Sequence, residues 1–155
     1  MDLVQQVIKS KNMKTKNSKS LLSFSFSQGF TSPNVPIATF HQGDKELNFI
    51  IDTGSDDNVI NKEALKDIEY EMIEHKGTLA GIGGVFNVQA CKISFQHDED
   101  KFSAKFLISD HLQQAFDNIR KAHAIPLHGM LGSEFLMQNN LVLDFTNMAA
   151  YNKKE

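Results

Sequence analysis

From residue 33 onward the chain reads as short runs in which apolar and polar positions alternate, the period-2 signature of strands with one buried face. Val35 to His41 and Glu46 to Asp52 flank Gln42-Gly43-Asp44-Lys45, a glycine-containing turn, and predict a β-hairpin whose second strand ends on Asp52. Asn61 before Lys-Glu-Ala-Leu-Lys predicts an N-cap and a short helix. Lys76 to Ile82 and Val85 to Phe95 form a second predicted strand pair, joined at Gly83-Gly84, a dipeptide suited to tight hairpin turns. After the charged turn Gln96 to Asp100, Phe102, Ala104, Phe106 and Ile108 alternate as one buried face. Ser109 or Asp110 is positioned to cap a helix over about 110–122, because Leu112, Ala115, Phe116 and Ile119 follow helical spacing. Ile125 to Leu131, Leu141 to Phe145 and Met148 to Tyr151 complete the strands, with a helical turn at Ser133 to Leu136. Many short strands with one or two helices predict a mainly β, closed barrel.

Composition narrows the class. With 155 residues, 41% apolar and 23% charged, the chain suits one compact domain and excludes collagen-like and wholly disordered classes. Charge is uneven. Residues 1–32 hold five lysines against Asp2 alone, a local +4; with −3 for the whole chain, the remainder carries −7. This lead reads as a lysine-rich, flexible arm on a domain spanning 33–151, followed by a charged tail at 152–155. No nucleic-acid partner is expected, because the body is acidic and no aromatic or arginine stacking residues interleave with the lysines. The longest apolar runs, such as Phe49-Ile50-Ile51, fall far short of a bilayer span, and the N-terminal lysines precede no apolar signal core. The expectation is therefore a cytoplasmic protein without membrane insertion, and a lone Cys91 forms no internal disulfide.

The sharpest chemical feature is Phe49-Ile50-Ile51-Asp52-Thr53-Gly54-Ser55, an apolar strand that ends on a carboxylate and turns at once through glycine. Such a strand delivers Asp52 to the interior or to a cleft floor, where an ionised carboxylate needs donors, a cation or a proton. The tripeptide alone also occurs in ordinary turns, but here it has company: Ile51 to Ile60, then Gly81-Ile82-Gly83-Gly84-Val85, then Met130-Leu131-Gly132.

In order and spacing these segments resemble the retropepsin-like aspartic proteases over roughly residues 33–151. The resemblance implies that Asp52 is the catalytic aspartate, that the Thr53 hydroxyl locks two active-site loops together, and that the Gly54 carbonyl faces substrate. It implies further that Ser55 hydrogen-bonds the catalytic carboxylate and favours activity at acidic pH. Asp56, Asp57 and Val59 match groove positions, and Gly81, Ile82, Gly83 and Gly84 match a flap that closes over bound peptide. Met130 and Leu131 match the apolar wall beneath the aspartate. Retroviral members carry an arginine where this chain has Ser133, and another where it has Asn34; its sole arginine is Arg120. The charged pairs those arginines make are therefore unavailable here.

Aspartate-type peptide hydrolysis uses two carboxylates sharing one proton, and this chain supplies one Asp-Thr-Gly. The expectation is therefore an aspartic endopeptidase that acts as a homodimer on extended peptide or protein substrates, with no metal and no cofactor. A catalytically silent, dimeric peptide-binding module of the same fold is the alternative. The remaining motifs add little. Gly81-x-Gly83-Gly84 lacks the third glycine and the following helix of a dinucleotide loop, and the six histidines lack metal-binding spacing. Cys91 reads as a small buried hydrophobe within a strand.

Overall fold

The computed structural model describes residues 22–30, 34–81 and 84–152. Among these residues the strands are β1 (Ser23–Ser25), β2 (Ile37–Gln42), β3 (Lys45–Ile51), β4 (Asn58–Asn61), β5 (Glu71–Gly81), β6 (Gly84–His97), β7 (Asp100–Ser109), β8 (Gly129–Leu131), β9 (Leu141–Asp144) and β10 (Ala149–Asn152). Two α-helices, α1 (Gln113–His123) and α2 (Ser133–Gln138), accompany them. The order β2-β3-β8-β4-β7-β6 closes on itself through the pair His41↔Gln96, giving a six-strand barrel, with β5 added outside β6. The mainly β barrel with few helices that the alternation predicts is the architecture found.

Alternation explains the interior. Ala38 and Phe40 on β2, Leu47, Phe49 and Ile51 on β3, and Phe102, Ala104 and Phe106 on β7 all point inward and are buried. Phenylalanine rings dominate this core: Phe40 meets Phe95 edge-on at 5.0 Å, and Phe49 stacks on Phe106 at 5.5 Å. The outward residues Ile37, Ile50 and Met130 would face water, but Leu112 and the α1 residues Phe116 and Ile119 cover them. The predicted helix thus exists to bury the outer face of the strands that carry the Asp52 motif. Its start differs from expectation. The Ser109 hydroxyl accepts the His111 N–H in the preceding turn, so helical geometry begins only after Leu112. Ala115, expected on the apolar face, is exposed.

Three further differences have local causes. Asn61 precedes a 3-10 turn at Lys62–Lys66 but does not cap it: its Nδ2 donates to Gln113 Oε1, and its buried Oδ1 takes no hydrogen bond among the described residues. Of the predicted 125–131 strand, Gly129–Leu131 forms the strand between β3 and β4, and the His128 backbone continues the bonding by one residue, donating to the Asn48 carbonyl and accepting the Asn61 N–H. Residues 22–26 of the arm expected over 1–32 are part of the fold. Residues 1–21 lie outside the described residues, but β1 pairs with β10, and Leu22, Phe24 and Phe26 are buried in the barrel core. The Ser-Phe alternation of that segment is a strand pattern, and its rings fill one end of the barrel.

β6 pairs with β7 only over Ala90–His97, whereas Gly84–Val88 pairs with β5 alone. The outer half of the β5–β6 hairpin therefore projects past the barrel as a two-stranded ribbon. Such a ribbon has little stability of its own.

Candidate active site

The strand order creates the site. β3 and β4 are consecutive in the chain, yet β8 lies between them, parallel to β3 and antiparallel to β4. The connection 52–57 must therefore pass over the end of β8, where the chain leaving Leu131 turns beneath it. The Asp52 N–H donates to the Leu131 carbonyl at 2.9 Å, extending the β3–β8 ladder by one rung into the loop.

Two chain segments crossing this closely leave no room for a side chain. A Cβ on Gly132 would collide with the Asp57 carbonyl oxygen and lie 2.7 Å from the Ser55 oxygen. Glycine there lets two residues reach the loop through three hydrogen bonds. The Ser133 N–H donates to the Ser55 carbonyl at 2.7 Å, the Glu134 N–H to the Asp56 carbonyl at 3.0 Å, and the Ser133 hydroxyl to the Thr53 carbonyl at 3.0 Å. The loop is held by uncharged hydrogen bonds to the start of α2.

Asp52 is half-buried at the barrel end, and its Oδ1 accepts the Gly54 N–H at 3.0 Å. The Ser55 hydroxyl does not take this part; it donates to the Asp57 carbonyl at 2.9 Å and tightens the loop instead. Thr53, Gly54 and Asp56 are exposed, and Asp57 is half-buried. Met130 is half-buried against α1. Val59 and Leu131, read from the sequence as substrate-binding, are 1% and 0% exposed, so within the protomer they support the loop from below and offer no surface. Gly81 and Gly84 pair at the end of the projecting ribbon, while Ile82 and Gly83 lie outside the described residues.

Sequence reasoning missed Asn58, which is 3% exposed. Its Oδ1 accepts the Gly132 N–H at 2.9 Å and its Nδ2 donates to the Lys105 carbonyl at 3.0 Å. A polar residue opening an apolar strand was the available signal. His128 is half-buried. Its Nδ1 accepts the Asn48 N–H at 3.0 Å, and burial holds the imidazole below its ordinary value. Among the described residues no group of three or more His, Cys, Asp or Glu is arranged to hold a metal ion, and no helix is long and apolar enough to cross a membrane.

A closed six-strand barrel whose interior strand delivers an Asp-Thr-Gly loop across a neighbouring strand end has the fold of a single-lobed aspartic protease. The family model for retroviral aspartyl protease matches residues 32–143, well over half of the chain, and the chain belongs to that family. Among solved structures it is similar to the EIAV protease complexed with the inhibitor HBY-793, with a TM-score of 0.45 and 19% sequence identity, covering 67% of this chain and 86% of that one. No curated protein matches it.

Proposed function

We propose that this chain is an aspartic endopeptidase that works as a homodimer, one Asp52 from each subunit facing the other across a two-fold axis. The observation that carries this reading is the single Asp-Thr-Gly loop, pinned to the barrel end with its carboxylate half open and one backbone donor on Oδ1. One lobe supplies one carboxylate, and the chemistry asks for two. In this chemistry the two carboxylates share one proton. The ionised partner takes a proton from a water as it attacks the peptide carbonyl, and the protonated partner donates to the carbonyl oxygen.

Family membership supports protease chemistry, and Asp56 and Asp57 beside Asp52, which form no ion pair among the described residues, support a groove for extended peptide. The projecting β5–β6 ribbon is suited to act as a flap, closing on substrate by strand-like pairing. In this reading residues 52–57 form the wall of that groove.

The test couples assembly to chemistry. Solution mass and pepstatin-sensitive peptide cleavage are measured together across pH for the parent and Asp52→Asn. The expected result is a dimer that cleaves best in acid, and a variant that keeps the dimer and loses at least about a thousand-fold in kcat. A parent that binds peptide without ever cleaving it establishes the silent binding module instead.

A further inference from the structure

We propose that Asn58 is a positioning residue for the Asp52 loop, acting through Gly132 and through the strand that supports the β5–β6 hairpin. Its amide joins three segments at one point, beside the backbone pairing of β4 with β7 and β8. It opens β4 immediately after the loop, accepts from Gly132 at the turn beneath the loop, and donates to the Lys105 carbonyl on β7. Gly132 is the residue from which Ser133 and Glu134 reach up to the carbonyls of Ser55 and Asp56. Fixing the Gly132 N–H therefore fixes the height at which the loop is held. β7 pairs with β6 from Ala90 to His97, so the same amide ties the loop to the strand whose outer half forms the projecting ribbon.

The chemistry of the contact demands an amide. One side must accept from an N–H and the other must donate to a carbonyl, both within a pocket closed to water. Alanine leaves the Gly132 N–H and the Lys105 carbonyl without partners. A carboxylate satisfies the first and repels the second. A protonated carboxyl satisfies both and has nearly the shape of the amide. This makes Asn58→Asp a reporter with a sign. The charged groups around the position are Asp52, Asp56 and Asp57 on the loop, Glu134 on α2 and Lys105 on β7. Their balance is acidic, and burial also disfavours the charged form, so the introduced carboxyl gains its proton above the ordinary carboxylate range.

The experiment compares the parent, Asn58→Ala and Asn58→Asp under conditions where melting curves report each folded. Backbone amide exchange is followed at residues 52–57 and 132–134, and kcat and KM are taken per folded dimer. For Asn58→Ala we expect exchange at Ser133 and Glu134 to accelerate about ten-fold or more. Its kcat should fall about ten- to a hundred-fold with KM changed less than about three-fold, the pattern of a misplaced catalytic group. Asn58→Asp should match the alanine variant at pH 7 and, relative to the parent, recover most of the loss near pH 4.

Unchanged exchange at 132–134 overturns the inference, as does kcat per folded dimer within about two-fold of the parent. So does an Asn58→Asp defect that fails to recover in acid. The exchange measurement needs no turnover, which separates this inference from the protease reading on which its kinetic arm rests. A parent that cleaves nothing sinks that reading alone, and exchange then decides the role of Asn58.

Discussion

Replacing Gly132 by alanine tests the crossing of chain segments on which the site is built. The backbone at 132 is extended, so alanine meets no torsional penalty there, and any effect comes from contact. The new methyl would collide with the Asp57 carbonyl oxygen while lying 2.7 Å from the Ser55 oxygen and 2.8 Å from the Asp57 carbonyl carbon. All three are backbone atoms and cannot rotate aside. Overpacking of this kind costs about 1–3 kcal/mol. Lifting the loop also stretches the bonds from Ser133 to Ser55 and from Glu134 to Asp56, each worth about 1 kcal/mol. The expected loss is about 3–5 kcal/mol in urea unfolding, with peptide cleavage reduced further than the folded fraction accounts for. Gly43→Ala is the control. That residue has φ +59 with nothing within 4 Å of its added carbon, so the change costs about 1 kcal/mol from the left-handed backbone alone and leaves cleavage intact. A Gly132→Ala loss below about 1 kcal/mol, or equal to that of Gly43→Ala, would refute the crossing argument.

Three other outcomes follow from single groups. Burial depresses the His128 imidazole below its ordinary 6.5, opposed in part by Asp67, so below that value the unfolded chain takes up a proton that the folded chain resists. Urea stability of the parent should fall from pH 7 to pH 5, and His128→Gln should flatten that dependence; parallel profiles would contradict the assignment. Burial pushes the Cys91 thiol up to about 11, so iodoacetamide at pH 8 should modify the native protein at least about a hundred-fold more slowly than the urea-unfolded chain. Asp56, Asp57 and Glu134 form no ion pair among the described residues. Peptides with lysine beside the scissile bond should therefore exceed their glutamate counterparts by about ten-fold in kcat/KM, a preference that shrinks in 1 M salt; equal rates would remove any role of these acids in selectivity.

Local pattern carried the strands, and topology hid the rest. Period-2 alternation located β2, β3 and β7 because each has one face on the phenylalanine core. The placement of β8 between β3 and β4 is a pairing across about 80 residues, which no local window registers. β1 was legible in the alternation of Leu22, Phe24 and Phe26, but lysines upstream gave the segment the look of a solvated arm. Within the site, residue types identified Asp52 and its loop. Which donor reaches the carboxylate depended on backbone geometry, so the bond expected of Ser55 belongs to Gly54. Val59 and Leu131 match lining positions through the family resemblance; strand alternation in this protomer sends both beneath the loop.

The passage of the 52–57 connection over β8 also sets an order of events during synthesis. The Thr53 carbonyl waits for a hydroxyl 80 positions further along, and the Ser55 and Asp56 carbonyls wait for the two amides at the same place. A growing chain carries its reactive aspartate long before it possesses the floor that shapes it. Folding of this kind is slow to begin and completes late. Fragments that stop short of residue 134 should thus be chemically inert, which builds a delay into the birth of the protein itself.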